Sequence, residues 1–182
     1  MIEIKNISFS YGEKAIFQNF SLTIDSPVLC ISGTSGIGKT TLLRIIAGLI
    51  KPSSGTVSGV PAPVSVMFQD NRLIPWLSAL ENIALVINDR NKAKEWLDMV
   101  ELSDVSDSLP ENMSGGQCRR AALARALAFD SKLLLLDEPF KGLDPELTER
   151  MAALILKQGK PVITVTHSAI EAALLGGKII NL

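Results

Sequence analysis

The chain reads as an α/β protein with a core sheet of parallel strands, an antiparallel β region near its start and a helical subdomain inserted into the core. Three patterns predict this. Continuous apolar runs such as "PVLCIS", "LLLL" and "PVITV" lack the alternation of a strand with one wet face, so they suit strands covered by helices on both sides. Helical stretches separate them, as parallel strands need crossovers. The first strands alternate instead, while residues 70 to 109 show only the helical spacing of three and four.

Ile2-Glu3-Ile4 begins a strand, Tyr11-Gly12-Glu13-Lys14 makes a turn, and Ala15 to Ile24 is a second strand broken at Gln18-Asn19. "PVLCISG" is the first doubly buried strand. The helix "GKTTLLRIIAGLI" places Leu42, Leu43, Ile46, Leu49 and Ile50 on one face, and Lys51-Pro52 is expected to stop it. Thr56 to Phe68 holds strands and turns around two prolines. "SALENIALVIN" and "NKAKEWLDMVEL" are helical, and Ser103 to Pro110 is a polar connection. The alanine-rich "QCRRAALARALAF" is a strong helix former. "KLLLLDEP" is a strand, Pro145 to about Gln158 a helix, and "PVITVTH" a further strand. We expect one domain over 1-182, with its core in 1-69 and 126-182 and the helical subdomain in 70-125.

Composition agrees, since 182 residues, 47% of them apolar, supply one core but hardly two. The formal charge of -1 gives no basic surplus for neutralising phosphates, so no nucleic-acid partner is expected. Cys30 and Cys118 lack the paired spacing of a metal or redox motif and read as small apolar fillers. The start of the chain is a strand pattern rather than a leader, and no run reaches about 18 uncharged apolar residues. A cytoplasmic chain is expected.

Gly33 to Thr40, "GTSGIGKT", fits the G-x-x-x-x-G-K-[ST] pattern between a buried strand and a helix, the context that makes it a P-loop. Gly33, Gly36 and Gly38 let successive backbone N–H groups of Thr34, Ser35, Ile37 and their neighbours wrap an anion, and the helix N-terminus adds positive potential. Lys39 would reach the β- and γ-phosphates of a nucleotide. The Thr40 hydroxyl would bind magnesium, with Thr41 completing the first turn. The expected core is thus a P-loop NTPase sheet. "LLLLDEP" delivers Asp137 and Glu138 at a strand's carboxyl end, Asp137 for the metal shell and Glu138 to polarise the attacking water.

A second glycine-rich helix start, "MSGGQCRRAALARAL", has Ser114 as N-cap ahead of Gly115, Gly116 and Gln117, again suited to a phosphate. Together with "GTSGIGKTT", "LLLLDEPFKGLDP" and "VITVTH", in this order along essentially the whole chain, it resembles the ATP-binding subunit of an ABC transporter. The resemblance implies ATP and Mg2+ as ligands and a head-to-tail homodimer, or paired ATPase subunit, with two ATP at its interface. In it Ser114, Gly115, Gly116, Gln117 and Asp144 would contact the nucleotide held by the other subunit. Tyr11 resembles the aromatic that stacks on adenine, Gln69 the glutamine that senses the metal and attacking water, and His167 the switch histidine at the γ-phosphate.

Leu73, Ile74, Trp76 and Leu77 cluster around Pro75, where the resemblance implies docking of a membrane permease subunit, holding the chain at the inner face of the cell membrane. "RLIPWLSALENI" is also similar to subunits of nitrate, sulfonate and taurine importers. Arg119 and Arg120 fit either a phosphate clamp or a solvated helix face. The chain departs from the family's wording in shortened segments and in Ser168, where an acidic residue is common. A soluble ABC ATPase of DNA repair, translation or cluster assembly is the alternative, and would carry coiled coils, a second cassette or a basic surface.

Overall fold

A computed structural model describes residues 1–182. The antiparallel region is a three-stranded sheet in which β1 (Ile2–Tyr11) lies between β2 (Lys14–Ile24) and β4 (Ser54–Ser58). The expected interruption at Gln18-Asn19 is a shift in register rather than a break. Asn19 and, on the neighbouring strand, Asn6 take left-handed backbone angles, φ 50° and 49°, and the strands stay paired on either side.

The five-stranded sheet has the order β5-β6-β7-β3-β8 and is parallel throughout, with β3 at Val28–Ser32, β5 at Val64–Met67, β6 at Leu133–Asp137, β7 at Val162–Val165 and β8 at Lys178–Asn181. Its two faces sort residues by parity. Leu29, Ile31, Leu133, Leu135, Ile163 and Val165 pack toward α1 (Lys39–Ile46) and the antiparallel sheet. Cys30, Leu134, Leu136 and Val162 pack toward the helices on the other side. Successive strand side chains point to opposite faces, so four consecutive leucines are what a sheet between two cores requires. Truncating one of these fully buried leucines to alanine would cost about 2–5 kcal/mol.

The lobe after β5 contains α2 (Ala79–Ile87) and α3 (Arg90–Met99), and α4 (Gly115–Ala128) joins it to the core. Ser78 starts α2 with a reciprocal cap, its backbone N–H donating to Glu81 and its hydroxyl accepting from the Glu81 N–H. On α4, Ala121, Ala122, Leu123, Ala124, Ala126 and Leu127 are all buried, because the helix is wedged between lobe and sheet. It runs past residue 125, and the Ser65 hydroxyl of β5 donates to the Ala126 carbonyl at 2.7 Å.

Three elements differ from expectation. Helix α1 ends at Ile46, four residues before the Lys51-Pro52 stop is reached, because Gly48 turns the chain at φ 71°; Leu49 is therefore 55% exposed. Beyond α5 (Pro145–Lys157) and β7, a short helix α6 (Ala169–Leu175) and the edge strand β8 complete the sheet, neither of them anticipated.

Candidate functional site

The carboxyl ends of β3, β6 and β7 open onto one cleft of about 280 Å3. It is lined by predicted residues from five separate stretches: Tyr11; Ser35, Gly36 and Gly38 to Thr41; Gln69; Asp137 and Glu138; and His167. Parallel strands aim all their carboxyl ends the same way, which is why distant segments meet there.

The loop between β3 and α1 is held from inside. Gly38, at φ 116°, leaves no room for a side chain, since a Cβ would lie 2.6 Å from Cγ2 of Ile16 and 3.0 Å from Cζ of Phe17. Lys39 is only 6% exposed and donates to the carbonyls of Gly33 and Thr34, both at 2.8 Å. A buried ammonium with neutral acceptors is suited to an anion. Gly33, Thr34 and Ile37 shape the loop without lining the cleft itself.

At the base of the cleft the Thr40 hydroxyl donates to Asp137 Oδ2 at 2.6 Å. Burial pushes the Asp137 carboxyl up, with the Thr40 bond acting against it. Glu138 follows with φ 52°, an uncommon angle for a residue with a side chain. Its Oε1 lies 3.0 Å from His167 Nε2 and its Oε2 3.2 Å from Lys141 Nζ. Burial alone pushes the Glu138 carboxyl up, but bonding and charge from Lys141, and then His167, hold it below the usual carboxylate range. At the cleft's rim Tyr11 stands edge-on to Phe9, ring centroids 4.9 Å apart, with an exposed face.

The second glycine-rich start does not line this cleft. Ser114 and Gly115 are exposed, and Ser114 and Gln117 cap each other: the Ser114 N–H donates to Gln117 Oε1 at 2.8 Å and the Gln117 N–H to Ser114 Oγ at 3.2 Å. Asp144 also lies outside the cleft and caps α5, accepting from the Leu147 N–H at 2.8 Å.

Of the docking cluster, Trp76 is 76% exposed, while Leu73 packs on the core and Ile74 and Leu77 are half-buried. Asn82, fully buried, pins this loop. It accepts from the Ile74 N–H at 2.8 Å and donates to the carbonyls of Ile74, Leu77 and Ser78.

The two arginines after the second glycine motif form neither a clamp on phosphate nor a solvated face. Arg119 is 3% exposed and points inward to backbone carbonyls at the ends of β5 and β6. Burial pulls its pKa down, while Asp137, Glu138 and Asp70 push it back up. Arg120 donates to the carbonyls of Val100 and Glu101 at 2.6 and 2.7 Å, closing the end of α3. Sequence reading also missed Lys14, Ile16 and Val165 on the cleft wall and Lys141 on Glu138. Only Lys141 had a usable signal, a cation three residues beyond a strand-end acid.

This loop, this acidic strand end and this sheet define a nucleoside triphosphatase of the P-loop class. A family model described as ABC transporter matches residues 17–141. Aliphatic sulfonates import ATP-binding protein SsuB 1 of Paracoccus denitrificans is 40% identical over all of this chain and 78% of its own length. The SsuB protein of Zymomonas mobilis is 38% identical over all of this chain and 81% of its own. Among solved structures, the dimeric structure of MJ0796, a bacterial ABC transporter cassette, superposes with a TM-score of 0.90 at 34% identity, covering 100% of this chain and 94% of that one. A post-hydrolysis state of MJ0796 bound to ADP and Pi superposes with a TM-score of 0.90 at 33% identity, covering the same shares. The chain belongs to the ATP-binding proteins of ABC transporters, which are ATPases, and the transporter reading stands over the non-transport one.

Proposed function

We propose that this chain powers a membrane importer by hydrolysing ATP between two copies of itself or a paired subunit. The observation that carries the reading is that Ser114 and Gly115 face solvent outside the chain's own cleft. The Ser114 and Gln117 N–H groups cap each other, but the N–H groups of Gly115 and Gly116 and the positive potential of the helix start suit a phosphate that the chain's own cleft does not bring to them. Packing against a second copy would set Ser114 to Gln117, with Asp144 nearby, over the nucleotide on the other's loop. Each site would then be built from both chains. The dimeric cassette among the similar structures supports this arrangement.

Within one site, Tyr11 stacks on the adenine and the loop from Gly33 to Thr41 wraps the phosphates. Lys39 exchanges its two carbonyl acceptors for phosphate oxygens, which lowers the cost of its burial. The Thr40 hydroxyl, the Asp137 carboxylate and the Gln69 amide are hard oxygen donors at one end of the cleft, a set that fits Mg2+ with phosphate and water completing its shell. Bound there, Mg2+ would neutralise charge on the β- and γ-phosphates. Glu138 takes a proton from the attacking water and Gln69 orients that water. His167, beside Glu138, donates to the γ-phosphate.

Trp76, with Leu73, Ile74 and Leu77, receives the permease. An exposed tryptophan on a loop pinned by a buried asparagine is a preorganised anchor. No helix of the chain is long and apolar enough to cross a membrane, so attachment to the inner membrane face would come through that partner. The relatives' names make aliphatic sulfonates the class of cargo we propose.

The test is the concentration dependence of turnover together with Ser114→Arg. Rate per molecule should rise with protein concentration, and Ser114→Arg should abolish hydrolysis while monomer nucleotide affinity stays within about twofold. Full-speed turnover by isolated single chains would refute the shared site.

A further inference from the structure

Arg119 is the most deeply buried arginine, and all but one of its acceptors are backbone carbonyls at or just beyond the ends of β5 and β6, the exception being the Asn71 side chain. Its Nε donates to the Glu138 carbonyl at 3.0 Å, and its Nη2 donates to the carbonyls of both Asp137 and Glu138. Its Nη1 donates to the Phe68 and Gln69 carbonyls at 3.0 and 2.9 Å and to Asn71 Oδ1 at 2.9 Å. Asp137 closes the β6–β7 ladder opposite Val165, whereas Phe68, Gln69 and Glu138 lie beyond the strand ladders, where buried carbonyls need other donors.

Glu138 needs such a partner. At φ 52° it holds a conformation that costs a residue with a Cβ roughly 1–2 kcal/mol, and such angles persist only where surroundings over-determine them. Its N–H donates to the Val165 carbonyl at 3.0 Å, and its own carbonyl is taken by Arg119. The fork thus fixes the direction in which the Glu138 side chain leaves the backbone. The same guanidinium fixes Gln69, at the start of the segment that leads to Trp76.

We propose that Arg119 is a positioning residue for hydrolysis, holding the backbone of Glu138 and that of Gln69 in one frame carried by the helix that starts at Ser114. The inference rests on the roles proposed above for Glu138 and Gln69. Movement of α4 against a second copy would shift both water-handling groups together, because one planar, five-donor group joins them.

Arg119→Met removes every donor and keeps the length; Arg119→Lys keeps charge without the fork. Steady-state ATPase and nucleotide affinity of the full chain are measured for each, with and without Glu138→Gln. In Arg119→Met kcat should fall about a hundredfold with affinity nearly unchanged, as expected of a displaced catalytic group. Arg119→Lys should recover part of the rate, and in the Glu138→Gln background neither change should lower residual turnover further. A wild-type kcat, a loss matched by equal loss of affinity, or a full additional loss in the Glu138→Gln background would overturn the proposal. If Arg119→Met fails to fold, Arg119→Lys decides alone by the same criteria. An active Arg119→Met beside an inactive Glu138→Gln would sink only this inference, whereas an active Glu138→Gln would sink the base role beneath it.

Discussion

His167 Nε2 and Glu138 Oε1 stand 3.0 Å apart, one just beyond β7 and the other just beyond β6, while Lys141 takes the second oxygen of the same carboxylate. Each oxygen of the proposed base therefore has one partner in the isolated chain. An attacking water can use a remaining lone pair of either oxygen, so the two partners orient the carboxylate without blocking it.

Replacing Glu138 with Gln should preserve nucleotide binding and lower turnover by about 10²–10⁴-fold. ATP should then hold an unhydrolysed dimer, visible as an early-eluting species in size-exclusion chromatography with ATP. Unchanged turnover would remove Glu138 from the base role.

Trp76→Glu should leave ATPase activity intact and uncouple it from transport. A charge on this exposed anchor costs nothing in the free chain but is unfavourable in an apolar dock. Co-purification with the membrane subunit is the readout, and persistent association would place the dock elsewhere.

Gly38→Ala should damage both stability and nucleotide binding. The added methyl meets Ile16 at 2.6 Å and Phe17 at 3.0 Å, so β2 or the loop must move, at a cost of about 1–3 kcal/mol. Gly36 has open space around it, and Gly36→Ala should cost only the backbone term, about 1–2 kcal/mol at its positive φ. Thermal melts with and without ATP separate the two.

The cap on α2 predicts a pH effect. The Ser78 N–H bond is the main cause holding the Glu81 carboxyl below its ordinary range, helped by the Ser78 hydroxyl and Arg90. A carboxyl depressed on folding stabilises the protein above its unfolded pKa, and that gain is lost as pH falls through the folded value. Glu81→Gln should therefore lower the urea midpoint at neutral pH, with the gap closing in acid. Ser78→Ala should cost about 1 kcal/mol at neutral pH.

Local pattern carried the parts of the fold that local energetics dominate. Leu133 to Leu136 reads as a doubly buried strand because four consecutive apolar side chains can all be buried only between two layers. Pro145 to Gln158 is legible because Asp144 caps it and Pro145 suits its first turn. Helix α6 and β8 were not, since a seven-residue helix with two buried positions and the strand "KIIN" lack enough period to stand out. Strand β8 exists by pairing with β3, about 150 residues earlier in the chain.

By itself the amino-acid order determined the phosphate loop, the acidic strand end, the second capped glycine start and the α/β class, since each depends on residues within a dozen positions of one another. Only the tertiary structure decided that Arg119 faces inward to Glu138 and Gln69, that Lys141 shares a carboxylate with His167, and that Asn82 steadies the loop bearing Trp76. A side chain's partner across the fold is set by how strands and helices pack, and nothing in its immediate neighbours encodes that direction.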